Sequence, residues 1–171
     1  MEFTFETHYN TKTMAVMARA LRKTVRQKHS RRSHLFGWIV TAMAVLLMTS
    51  DGFELNFRSV VTLGVIFVMV RALLLEDQIN GYVAKRRMLP GMEKATAVFT
   101  EDGFVSTTEI GKTEWKYDKI VLVAETTDFF VFIFSQNHAQ LYDKSGMKGG
   151  TADDFRRFME DMTEKAVQRI K

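Results

Sequence analysis

The sequence predicts an α+β membrane protein: a two-helix transmembrane hairpin joined to an antiparallel β-roll that a C-terminal helix caps. Three observations predict it. Two apolar runs, residues 35–50 and 59–75, stand close together with almost no charge in either. After Pro90 the apolar pattern changes to period two, with turn signals about every ten residues. From Thr151 onward, apolar residues return at helical spacing.

The chain has 171 residues, 24 Lys plus Arg against 20 Asp plus Glu, one Pro and no Cys. That length suits one domain, or a small domain with something attached. The missing Cys excludes disulfide frameworks and Cys-based zinc or iron–sulfur sites. A mean hydropathy of −0.10 resembles a soluble protein, but the average conceals two apolar runs diluted by a polar remainder. Charge is local: residues 1–34 carry +6, residues 35–90 carry +1 and residues 91–171 carry −3. No cleavable signal fits, because the basic region is too long and no small-residue cleavage site follows the apolar run.

Residues 35–50 give about 25 Å of helix when His34 is added, slightly short for a span. The second run is broken by Arg71, which lies near enough to its end to reach the headgroups. Runs this short also occur as core helices of soluble bundles. The first has no polar face beyond Thr41, Thr49 and Ser50, which suits lipid contact or complete burial. The rest of the chain is too small to bury two such helices, so the transmembrane reading is preferred. Basic flanks before the first run and at Lys85, Arg86 and Arg87 predict both termini in the cytosol. Phe53, Leu55 and Phe57 are expected near the outer interface. Gly37 and Gly64 permit close helix approach, although no G-x-x-x-G specifies a dimer.

Four segments follow: an N-terminal strand and basic amphipathic helix (1–33), the hairpin (34–76), a linker or helix extension (77–93) and a cytosolic domain (94–171). Phe3 and Phe5 alternate with polar residues as in a short strand. Asn10 or Thr11 can cap a helix whose stripe is Met14, Met17, Ala18, Leu21 and Val25. Its bases Arg19, Arg22, Lys23 and Arg26 are candidate membrane-surface contacts. A topology signal, with the stripe packed on the cytosolic domain, explains them equally simply. Nucleic-acid binding is not expected, since no aromatic platform or reading motif accompanies the charge.

Strands are predicted at 96–100, 104–110, 112–117, 120–125, 129–135 and 139–142. Residues 129–134 (FFVFIF) are apolar on both faces, so they predict a central strand covered on both sides. The natural second cover is the last helix, with Thr151 and Asp154 as its capping box. Phe155, Phe158, Met159, Met162 and Ala166 form its stripe, extended by Val167 and Ile170. A meander of about six strands closed by a helix is the outline of a pleckstrin-homology-like (PH-like) roll.

Motifs for catalysis are missing. The four His residues show no ligand spacing, and neither HExxH nor G-x-S-x-G occurs. No metal, cofactor or catalytic residue is expected. The glycine-rich loop 143–151 precedes a helix and carries Lys144, Ser145 and Lys148, the candidate ligand or partner loop. It does not match a P-loop, and a flexible strand-to-helix connection is the plainer reading. Trp115 reads as a core anchor before a ligand platform.

The basic arm, the two adjacent spans and the segment FTEDGFVSTTEIGKTEWKYDKIVLVAETTDFFVFIF together resemble the bacterial YcxB-like family. The residues that carry the resemblance are Phe99, Thr100, Gly103, Trp115, Ile120 and 129–134; the chain departs from the family at 142–146 (YDKSG). The resemblance implies a two-span protein of the bacterial cytoplasmic (inner) membrane with a cytosolic domain, and it supplies no catalytic residues. The expected function is therefore non-enzymatic: a membrane-tethered cytosolic binding or regulatory module. Its partners would be the bilayer and a protein at the cytosolic domain. The alternative is a subunit of a larger membrane assembly or transporter whose hairpin makes the contacts, with an oligomer allowed.

Overall fold

The computed structural model describes residues 2–50 and 56–170, and it is a mixed α+β chain with two apolar helices and two β-sheets. Strand β1 (Phe3–His8) alternates buried Phe3, Phe5 and Thr7 with outward residues. Asn10 then caps α1 (Thr11–Lys23) reciprocally. Its side chain accepts from the Thr13 amide at 3.0 Å, and the Thr13 hydroxyl accepts from the Asn10 amide at 2.8 Å. Helices α2 (Gln27–Thr49), α3 (Phe57–Leu74) and α4 (Glu76–Arg87) carry the chain out and back.

The remaining strands are β2 (Lys94–Thr100), β3 (Gly103–Thr108), β4 (Gly111–Trp115), β5 (Leu122–Glu125), β6 (Phe129–Ile133), β7 (Ala139–Asp143) and β8 (Met147–Lys148). Helix α5 (Ala152–Thr163) and β9 (Gln168–Arg169) follow. The first sheet has the order β4-β3-β2-β1-β8 and the second β7-β6-β5-β9. Strand β1 pairs antiparallel with both β2 and β8. The helices α1 to α4 are thus an insertion between two hydrogen-bonded strands, and the residues on either side of them fold together.

Strand β6 is buried along its whole length. Phe130 and Phe132 face the space between the sheets, with Phe3, Phe5, Phe99 and Phe155 of α5. Phe129, Val131 and Ile133 face the other way. The expectation that the last helix covers this second side is corrected here: α1 covers it, through Ala20 and Leu21 with Val16 and Met17, and Val25 just after the helix adds to the cover. The cause is the short connection from β1, which lays the α1 stripe over the second sheet while α5 closes the interior.

Helix α5 has the capping box expected at Thr151 and Asp154. It ends at Thr163, where Glu164 takes the left-handed conformation (φ 55°) that terminates helices. The stripe therefore does not run on through Ala166, Val167 and Ile170. Those residues belong to an extended tail whose Gln168 and Arg169 pair parallel with Ala124 and Glu125 of β5.

Helices α2 and α3 are long and apolar enough to cross a membrane by length and composition. A Cβ at Gly37 would lie 2.8 Å from the Leu73 side chain, so the two helices approach closely there. Gly64 makes no such approach, with nothing within 4 Å of its Cβ position. Phe53 and Leu55 lie outside the described residues; Phe57 opens α3 and is exposed.

Candidate functional site

Three places bring polar or apolar groups together in a way that bears on function. The first is the crossing of α1 and α4 at the foot of the hairpin. Gly81 lets the helices touch backbone to backbone, since a Cβ there would fall 2.5 Å from the Ala15 nitrogen. Arg22 donates from Nε to Asp77 Oδ1 and from Nη2 to Oδ2, both at 2.7 Å, and Arg19 Nε reaches Oδ2 at 3.3 Å. Burial acts most strongly on Asp77 and would raise its pKa. The two guanidiniums outweigh it and hold the carboxyl below its ordinary value. Beside it, Glu76 meets His34 Nε2 at 2.6 Å. Of the predicted surface bases, Arg22 is thus half-buried against Asp77, while Arg19 stays exposed and reaches the same carboxyl from outside. Arg26 donates to the Gln136 carbonyl and to Asn137 Oδ1, both at 2.6 Å, and Lys23 is the last residue of α1.

The second place is the loop after β7. Lys144 turns inward, donating to Glu125 Oε1 and the Thr126 carbonyl at 2.7 Å each, with its ammonium 4.8 Å from the centre of the Phe130 ring. Ser145 donates to Asp143 Oδ1, and Lys148 pairs with Glu6 at 2.6 Å. The three residues therefore do not converge. The glycines serve close packing on β1: at Gly149 (φ +100°) a Cβ would lie 2.2 Å from the Glu2 carbonyl oxygen. Sequence reasoning missed Glu125, which is 5% exposed and also held by Arg156 at 2.6 Å and 2.8 Å. Burial acts most strongly and raises its pKa, but Arg156 and Lys144 together bring it down to about 2. The signal was present: under period two Glu125 shares the core-facing side of β5 with Val123, and an acid there requires cations.

The third place is a cleft of about 460 Å³ between the edge strands β4 and β7. Met14 and Met17 of α1, with Met88 and Met92 after α4, line it together with Ile110 and Lys112. The outer edge of β7 is already engaged: Thr7 Oγ1 accepts from the Asp143 amide at 3.1 Å, and Tyr9 donates to the Leu141 carbonyl at 3.1 Å. Strand β4 pairs with β3 on one side, ends the sheet on the other, and is largely exposed. Methionines suit a surface that accepts varied apolar side chains. Among the described residues, no group of three or more His, Asp or Glu could hold a metal ion.

Neither the curated proteins nor the solved structures gave a match to this chain. The family comparison did, and it falls on β-rich sequence running from the end of β2 into α5. Residues 99–159 match the family model described as YcxB-like protein, the family that the sequence resembles.

Proposed function

We propose that this protein is a membrane-tethered binding module of the YcxB-like type, in which an apolar hairpin holds a PH-like roll at the cytosolic face of a bacterial cytoplasmic membrane. The observation that carries the reading is the exposure of the hairpin. The apolar windows of α2 and α3 are only 11% and 6% buried, whereas a soluble core helix of that composition would be mostly covered. Water would penalise such a surface heavily, and acyl chains would not. The bases that flank both helices support cytosolic termini. The division into a sheet built on β1 to β4, a sheet built on β5 to β7, and a closing helix supports the PH-like reading.

The work of the module is binding rather than catalysis. The buried acids, Asp77 and Glu125, are neutralised by bases and hold elements in place. The contact surface is the methionine-lined cleft beside β4, and its occupant is an extended segment of a partner protein. Such a segment would add to the β4 edge by main-chain hydrogen bonds and place apolar side chains among the methionines. A second reading, a subunit of a larger assembly, draws on the open helix face at Gly64.

Photo-crosslinkers placed at Lys112 and at Gly64 in the full chain separate the two readings. Adducts from Lys112 are expected. Adducts confined to Gly64 would transfer the function to the hairpin. Recovery of the chain in the aqueous fraction without detergent would remove the membrane reading altogether.

A further inference from the structure

Two groups stand out among the N-terminal bases. Arg19 and Arg22 are held by Asp77. Three later ones, Arg26, Lys28 and Arg32, surround a cavity of about 710 Å³ at the elbow where α1 turns into α2. Arg26, Lys28, His29 and Arg32 line it, with Gln136 and Asn137 from the β6–β7 turn forming its far wall. No acid lines it. Arg26 is fixed across its floor by the bonds to Gln136 and Asn137 described above, which orient the guanidinium without neutralising its charge. Lys28 and Arg32 stand four residues apart on one face of α2 and form no ion pair among the described residues. Four cationic or ionisable groups around one open space, with amide and carbonyl partners but no carboxylate, suit an anion with several acceptor oxygens.

Depth selects which anion. Arg32 lies three residues before Leu35, where the apolar run of α2 begins, so it stands about 5 Å along the axis from that run. A spanning α2 would place the cavity at the level of the phosphates.

We propose that this elbow cavity is a phosphate site, filled by the headgroup of an anionic phospholipid. The inference rests on the reading of α2 as a membrane span. Lys28 and Arg32 would reach the phosphate oxygens from the helix, while Arg26 closes the pocket from below. The site would fix the rotation of the roll about the hairpin axis, because headgroup and β6–β7 turn are then held by one guanidinium.

The test uses the full chain in nanodiscs of phosphatidylcholine doped with spin-labelled phosphatidylglycerol or spin-labelled phosphatidylcholine. The wild type should immobilise the anionic label in preference to the neutral one by roughly fivefold, and Lys28→Gln with Arg32→Gln should bring that preference close to one. Arg31→Gln, one position from Arg32 and not part of the cavity wall, should leave it intact. Binding of inorganic phosphate to the protein in purely neutral nanodiscs, without lipid preference, would keep the site and assign it to a soluble phosphate. Equal immobilisation of both labels with no phosphate binding would overturn the proposal, as would a preference that survives the double substitution. Failure to enter nanodiscs at all would instead count against the membrane reading.

Discussion

Arg22 and Asp77 stand 55 residues apart in the chain, on opposite sides of the apolar hairpin, and meet in two parallel hydrogen bonds of 2.7 Å. Fork-to-fork pairing of this kind is both strong and directional. It ties α1, which follows β1, to α4, which precedes β2, so the two ends of the insertion are fastened where they leave the first sheet. Asp77→Ala should therefore lower the unfolding free energy in detergent by about 1–3 kcal/mol. It should also expose the segment joining α3 and α4 to protease. Arg22→Lys, which cannot make the paired contact, should show more than half of that loss.

The helix crossing beneath that pair depends on one missing side chain. A Cβ at Gly81 meets the Ala15 backbone, which cannot move aside as a flexible side chain could. Gly81→Val should separate α1 from α4 and abolish a cooperative thermal transition. Gly64→Leu, placed in open space, should leave both the transition and the particle size in detergent unchanged. A smaller particle for Gly64→Leu would point to contacts between hairpins.

Acid should weaken the packing of the second sheet through Glu125. Its carboxyl lies well below the ordinary 4.5, at about 2, because Arg156 and Lys144 outweigh the burial that opposes ionisation. A carboxyl lowered in the folded state contributes fully above its ordinary value, and that contribution disappears as pH falls through 4.5 towards about 2. At about 1.4 kcal/mol per unit the loss is on the order of 3 kcal/mol. Denaturant titrations at stepped pH should show this decline, and Glu125→Gln should flatten it while lowering stability at neutral pH.

The aromatic interior should tolerate truncation poorly. Phe132 has no exposed surface and packs against Phe99, Phe104 and Tyr142. Phe132→Ala should cost about 3–5 kcal/mol, and Thr151→Ala, which removes half of the α5 capping box, about 1 kcal/mol. Thermal unfolding of the two variants side by side would check the ranking.

Much of this architecture was legible before any coordinates. Period-two alternation locates β2 to β7 to within a few residues, because every one of these strands except the exposed β4 has one or both faces in a core. The caps at Asn10 and Thr151 are readable because both use the reciprocal geometry that their spacing allows. Long-range partnership was not legible. Nothing local in Phe3 and Phe5 states that β1 will sit between β2 and β8, or that the α1 stripe will cover Val131 and Ile133. The bases of the arm looked alike in sequence, and only the fold sorts Arg19 and Arg22, which meet Asp77, from Lys28 and Arg32. The tail after Thr163 kept a helical stripe by composition, and pairing with β5 prevailed.

The pairing of Phe3 with Phe99 sets an order of events during biosynthesis. The first strand leaves the ribosome on the order of ten seconds before its neighbour exists, at ordinary elongation rates. Its two phenylalanines must wait, wet and unmatched, while the four helices that separate them from β2 are made. Closure of the first sheet is thereby made conditional on synthesis of the whole helical insertion, and a nascent chain that stalls before β2 would be left with an orphaned, sticky leading edge for quality-control proteases to find.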